Sequence, residues 1–174
     1  MDKKSSKYRD ELLELLKKLA KKELDFVICG GVACVLQGVE RATYDLDIAI
    51  AFENNNIEKL INSAKEYSLK PRIPEPADKL LDENRRKVWV KEKGAVVFTF
   101  FSDESPLQLD IFLTELIPYD ELKKSADIFE IEGMKLLVCS KKQLVKLKKQ
   151  IEPLRDKDMQ DIKELERLIN EEGK

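Results

Sequence analysis

A chain of 174 residues with 43% hydrophobic and 38% charged side chains is long enough to bury a core of its own, and its net charge of −2 excludes a globally basic nucleic-acid binder. Histidine is absent, which excludes a Ser-His-Asp or Cys-His nucleophile, a histidine-ligated zinc and an imidazole base, so any general base is expected to be a carboxylate. No apolar run approaches the ~20 residues that span a bilayer, MDKKSSKYRDELLELL has no signal-peptide core, and Cys29, Cys34 and Cys139 lack metal spacing, so a soluble cytoplasmic protein with reduced, buried thiols is expected.

Leu12, Leu13, Leu15, Leu16 and Leu19 recur at helical spacing among lysines and glutamates, predicting an amphipathic opening helix capped by Ser5 or Ser6. Leu24 to Cys29 is short, apolar and partly β-branched, a strand that meets Gly30 and turns into a helix over Gly31 to Gln37. A strand, a glycine pair and a helix start turn free backbone N–H groups and the positive end of a helix dipole toward one point, which suits a phosphate. The plainer alternative is a tight strand-to-helix turn. Gly38 ends the helix, and the loop Val39 to Tyr44 carries Arg41 and Thr43 to the next strand.

That strand holds Asp45 and Asp47, separated by Leu46. Extended chain alternates faces, so Leu46, Ile48, Ile50 and Phe52 form a core side while both carboxylates leave the opposite side about 6 to 7 Å apart. Their mutual repulsion is on the order of 2 to 3 kcal/mol at an effective dielectric near 20, and a hard divalent cation with oxygen ligands would relieve it.

Asn54 to Asn56 are expected to cap a helix over Ile57 to Tyr67, and Pro71, Pro74 and Pro76 to mark a surface loop. A short helix near Ala77 to Asn84 precedes two β-rich runs, Lys87 to Val90 and Ala95 to Phe101, that read as a hairpin around Lys91 to Gly94. Trp89 and Phe98 to Phe101 read as core and rim aromatics rather than a base-stacking platform. Leu107 to Leu113 alternates again, with Leu107, Leu109, Ile111 and Leu113 inward and Gln108, Asp110 and Phe112 outward. A mid-strand carboxylate is disfavoured unless solvated or bound, and beside Asp45 and Asp47 it would complete a three-carboxylate site. A short helix over Tyr119 to Ser125 follows, then a hairpin from Ile128 to Ile131 and Met134 to Val138, read as a peripheral arm. Ser140 caps a lysine-rich helix, Lys141 to Lys149; Glu152-Pro153 breaks it. Arg155 to Glu171 closes the chain with Met159, Ile162, Leu165, Leu168 and Ile169 inward.

A glycine pair after a strand, a helix, Asp-x-Asp on a strand and one further aspartate on a later strand resemble the nucleotidyltransferase fold of the DNA polymerase β superfamily. More narrowly, GGVACVLQGVERATYDLDIAI and SKKQLVKLKKQIEPLRDKDMQDIKEL are similar to the AbiEii-type nucleotidyltransferases of bacteria and archaea, many of them toxins of toxin-antitoxin pairs. The first stretch is the more specific, with glycines, arginine, threonine and both aspartates in order. The middle of the chain is family-like only in its strand pattern. The resemblance implies an α+β fold: a small mixed β-sheet with helices mainly on one face, plus a peripheral hairpin and C-terminal helices. It implies a single domain over 1–174, with its core at about 1–118 and the hairpin and helices at about 119–174.

The implied activity is Mg²⁺-dependent transfer of NMP from an NTP to an acceptor hydroxyl, with pyrophosphate released. By position, Gly30 and Gly31 would contact the triphosphate, Asp45 and Asp47 would ligate a pair of Mg²⁺ ions, and Asp110 would ligate one while helping to deprotonate the acceptor. Mn²⁺ is the alternative metal. Arg41 and Thr43 match the family's nucleotide-binding pattern, or else anchor the loop. Lys148, Arg155 and Lys157 match its basic positions and would neutralise phosphates, the alternative being a solvated helix face. Asp158 and Asp161 match as well, but acids are favoured in a helix's first turn and these are read as structural.

The implied partners are an NTP, an acceptor (tRNA or other RNA, a protein, or a small molecule) and a cognate antitoxin, with no membrane. The lysines from Lys141 to Lys157 tilt the expectation toward RNA. Two other readings stay open: a metal-dependent glycosyltransferase, disfavoured by chain length and by the glycine pair, and a non-catalytic nucleotide-sensing or partner-binding module on the same fold.

Overall fold

The computed structural model describes residues 3–173. In chain order the elements are α1 (Lys3–Lys21), β1 (Phe26–Cys29), α2 (Gly30–Leu36), β2 (Asp45–Ile50), α3 (Asn54–Glu66), β3 (Lys70–Pro71), a 3-10 helix (Ala77–Leu81), α4 (Glu83–Lys93), β4 (Val97–Phe101) and β5 (Gln108–Phe112). The chain continues through α5 (Tyr119–Lys124), β6 (Asp127–Ile131), β7 (Met134–Val138), α6 (Lys141–Lys149) and α7 (Asp156–Glu172). These elements form two compact units. One takes the residues up to Phe26 together with Tyr44–Thr114; the other takes Val27–Thr43 and the chain from Glu115 onward. The division is thus interleaved along the chain, with Val27–Thr43 grouped with the C-terminal portion.

In the first unit four strands lie in the order β3-β4-β5-β2, parallel between β2 and β5 and antiparallel elsewhere. Alternation decides which side is covered: Leu46, Ile48, Phe98, Phe100, Leu109 and Ile111 are all buried. Helix α1 begins at Lys3, which puts positions 5 and 6 within the helix rather than ahead of it. It packs on α3, and Leu15, Leu16 and Leu19 of α1 and Ile57, Leu60 and Ala64 of α3 are buried. The asparagines expected to cap α3 are within the helix. Asn56 is buried and ties loop ends together, accepting from the Asp25 amide and donating to the carbonyls of Asp25 and Ala51.

The hairpin expected around Lys91 to Gly94 is instead helix α4 followed by β4. Caps at both ends decide it: Asp82 accepts from the Arg85 amide, and Gly94 closes the helix at φ +63°, a left-handed conformation that glycine adopts freely. Trp89 then points inward, its ring centroid 5.2 Å from that of Phe98, while its indole N–H donates to Glu75. Pro71, expected in a surface loop, instead forms a short edge strand with Lys70, where a missing N–H is tolerated.

In the second unit β1 runs parallel to β7, and β7 pairs antiparallel with β6 through Glu132 and Gly133, both at positive φ. The β6–β7 hairpin closes the end of this ladder: β7 pairs with β1, β6 is the outermost strand, and the Cys139 amide donates to the Ile28 carbonyl. Ser140 caps α6 in a reciprocal box with Gln143, whose amide also donates to the Leu122 carbonyl. Ile162 and Leu165 of α7 are inward as expected, but Met159 is 47% exposed. Its place is taken by Asp158 and Asp161, both buried. All three cysteines are buried thiols, and among the described residues no helix is long and apolar enough to cross a membrane.

Candidate functional site

Register brings the first group of side chains together. Asp47 pairs with Asp110 across the parallel β2–β5 ladder and Asp45 with Gln108, so the three carboxylates leave one face of the sheet, with paired strands about 4.8 Å apart. All three are half-buried. Thr99 pairs with Asp110 from the other side and donates its hydroxyl to Asp110 Oδ1 at 2.5 Å. Burial, with the Asp45 charge added, holds the Asp110 carboxyl above the usual range against the opposing pull of the Thr99 hydrogen bond and the Arg72 charge. The Arg72 guanidinium lies 5.1 Å from the Phe101 ring centroid and donates to Gln108 Oε1 at 2.7 Å.

Among the described residues no three histidine, cysteine or acidic side chains already converge as a metal cage. Asp110 is turned to Thr99, as expected of like charges on one face that find other partners. The donor set is nonetheless all oxygen, and neither Asp45 nor Asp110 forms an ion pair among the described residues. A donor set made of carboxylate oxygens alone is the chemistry that suits a hard cation.

The glycine pair has a local reason in the second unit. Gly30 sits at φ +58°, and a Cβ on Gly31 would lie 2.5 Å from Thr43 Oγ1 and 3.3 Å from an Arg41 nitrogen. The loop after α2 is therefore seated directly on the turn. Gly31→Ala is expected to destabilise the protein by about 1 to 3 kcal/mol through this overlap, and Thr43→Ala in the same chain to recover part of the loss. Urea denaturation of the two single variants and the double variant checks this; strictly additive losses would show that Thr43 is not what excludes the methyl group.

Three of the basic candidates meet around the two aspartates of α7. Lys148 Nζ donates to Asp158 at 2.8 Å and lies 2.8 Å from Asp161, Arg41 donates to Asp161 at 2.5 Å, and Arg155 donates to Asp158 at 2.6 Å. Burial alone would lower the Lys148 pKa, but the two carboxylates outweigh it and the net shift is upward. For Asp158, burial acts upward and is outweighed by Arg155 and Lys148, leaving its carboxyl below the usual range. Arg41 and Asp161 also line an open cleft of about 350 Å³ with Val39, Glu40, Gln160 and Glu164.

Lys157 is exposed and joins none of these contacts. The lysine-rich stretch is not a free basic surface: Lys141 pairs with Glu172, Lys146 with Glu121 and Lys149 with Glu166. Much of the positive charge of this stretch is matched by carboxylates of the same fold.

Thr99, Arg72 and Tyr8 escaped the sequence reading. Thr99 was legible from its place between the buried Phe98 and Phe100, which sends it to the carboxylate face. Tyr8 stands on the stripe Tyr8, Leu12, Leu15, Leu19, whose i, i+4, i+7 spacing predicts burial.

Scanned against protein-family models the sequence matches none, and no curated protein matches it. Solved structures do. The lincosamide antibiotic adenylyltransferase LnuA, lincomycin-bound, aligns at 18% identity over 91% of this chain and 96% of its own, with a TM-score of 0.61. The antibiotic-resistance factor ANT(2'')-Ia aligns in solution at 13% identity over 97% of this chain and 87% of its own, with a TM-score of 0.60. Its crystal structure with adenylyl-2''-tobramycin aligns at 13% identity over 92% and 93%, with a TM-score of 0.54. The chain has the fold of these nucleotidyltransferases.

Proposed function

We propose that this chain is a Mg²⁺-dependent nucleotidyltransferase that moves NMP from an NTP to an acceptor hydroxyl. The observation that carries the reading is the pairing of Asp47 with Asp110, with Asp45 on the same face: three carboxylates from distant parts of the chain are held together at a cost in repulsion that a bound cation would offset. Bound Mg²⁺ would supply charge neutralisation at the transferred phosphate and a lowered pKa for a bound hydroxyl. Asp45, Asp47 and Asp110 hold the metal, and Asp110, oriented by Thr99, takes the acceptor proton. Gly30 and Gly31 are assigned to the NTP phosphates, with Arg41 and Thr43 holding the turn. Lys148 and Arg155 act by bracing Asp158 and Asp161 rather than by touching nucleotide, and Lys157 has no assigned contact.

For the acceptor, a small hydroxylated molecule stands ahead of RNA. The lysines that favoured RNA are ion-paired, and two of the similar structures hold lincomycin and an adenylylated tobramycin. A protein acceptor and a toxin role with a cognate antitoxin follow only from the AbiEii resemblance.

The test is label transfer. The protein is incubated with Mg²⁺ and each α-labelled NTP against an aminoglycoside, a lincosamide, total RNA and a protein pool. Transfer to one of the two antibiotics is the expected result, and labelling of RNA or protein alone would overturn the acceptor assignment. A nucleotide-sensing module would instead give a thermal shift without transfer. A ligand at 100 times its dissociation constant adds ~2.7 kcal/mol, so silence with every NTP and metal in both assays would sink the reading.

A further inference from the structure

Tyr8 on α1 is 8% exposed, yet its hydroxyl is the one buried side-chain polar atom without a hydrogen-bond partner among the described residues. Buried hydroxyls are rarely left unpaired, so this one asks for an occupant or an alternative geometry. The ring is held edge-on against Tyr44, with centroids 4.8 Å apart and planes at 70°, and Tyr44 directly precedes Asp45. Burial, followed by the charges of Asp45, Asp47, Tyr44 and Glu11, pushes the phenol pKa upward and keeps it a donor. On the other side, the Asp45 carboxylate makes no side-chain hydrogen bond or ion pair among the described residues.

The Tyr8 hydroxyl thus lacks an acceptor, and the carboxylate of Asp45, the residue that follows its ring partner Tyr44, lacks a donor among the described residues. A template for their pairing exists on the same face: Thr99 already donates to Asp110. Carboxylates that ligate a metal are commonly hydrogen-bonded through the oxygen the metal does not use, which fixes their orientation.

We propose that Tyr8 is a positioning residue of the carboxylate site, donating its phenolic hydrogen to Asp45 when a divalent cation draws the three aspartates together. The inference rests on the reading of Asp45, Asp47 and Asp110 as cation ligands. It also gives α1 a part in the site.

Mn²⁺ is the probe, its free concentration followed by electron paramagnetic resonance in titrations of the wild type, Tyr8→Phe and Asp47→Asn. The metal-free thermal midpoint of Tyr8→Phe should equal or exceed that of the wild type, because an unpaired hydroxyl has been removed. Its Mn²⁺ dissociation constant should rise 10- to 100-fold. With tyrosine labelled at ¹³Cζ, Mg²⁺ should move the Tyr8 resonance, identified by its loss in Tyr8→Phe, and should leave it in place in Asp45→Asn.

Unchanged Mn²⁺ affinity in Tyr8→Phe, while Asp47→Asn loses it, overturns the role of Tyr8 alone. So does a lowered metal-free midpoint, which would show the hydroxyl already paired. No Mn²⁺ binding by the wild type, or equal binding by Asp47→Asn, overturns the cation reading and this inference with it.

Discussion

Asp110→Asn is expected to reduce nucleotidyl transfer by at least about 10³-fold while leaving the protein as stable as the wild type, or more so. Asparagine keeps the shape and an Oδ1 that can still accept from Thr99, so the 2.5 Å hydrogen bond in the sheet survives. It removes a negative charge from a half-buried position beside Asp45, where burial and that neighbour disfavour ionisation. The sign follows from linkage. A carboxyl whose pKa is raised by folding contributes stability that is present below its unfolded value, near 3.9, and lost as pH rises through the folded value. The variant should therefore gain on the wild type as pH climbs from about 4, and saturating Mg²⁺ should erase the difference by stabilising only the wild type. For activity, on the function proposed above, the same change would remove a metal ligand and the proton acceptor together. Single-turnover label transfer and urea denaturation at pH 4, 6 and 8 measure both halves. A variant retaining a tenth of wild-type activity would remove Asp110 from the chemistry.

The sequence disclosed this face well because strands report it by alternation alone. Leu46, Ile48, Leu109 and Ile111 had to be inside, which sent Asp45, Asp47 and Asp110 outside. Only the register of β2 on β5 was hidden, since pairing between segments sixty residues apart leaves no local trace. Elsewhere local patterns misled. Trp89 and its β-branched neighbours read as strand, but Asp82 and Gly94 cap both ends of a helix whose apolar stripe is too narrow to show periodicity. Met159 was read inward by its hydrophobicity, whereas Asp158 and Asp161 take the inner face. An acidic residue is a buried candidate only once its partners are known. Those partners, Lys148 and Arg41, lie on other elements, so composition could suggest a solvated helix but not a buried cluster.

Lys148→Met is expected to cost about 3 to 5 kcal/mol, the largest single effect on stability foreseen for this chain. Methionine approximates the volume of the lysine stem, so little of the loss would come from a cavity. What remains is two buried carboxylates deprived of the ammonium that lies 2.8 Å from each, with Arg155 left to Asp158 and Arg41 to Asp161. The pH profile distinguishes this from a packing loss. The depressed Asp158 pKa means its contribution is present above about pH 4 and lost as pH falls through the folded value. The raised Lys148 pKa means its contribution is present below about pH 10.4 and lost as pH rises beyond that. The gap between variant and wild type should therefore be flat between these limits and narrow outside them. Lys157→Met, at an exposed position of α7, should change stability by no more than about 0.5 kcal/mol. If Lys148 instead contacted nucleotide phosphates directly, Lys148→Met would keep its urea midpoint and lose only its NTP-induced thermal shift. That pattern would return Lys148 to the binding site and leave Asp158 and Asp161 to be neutralised by the two arginines alone.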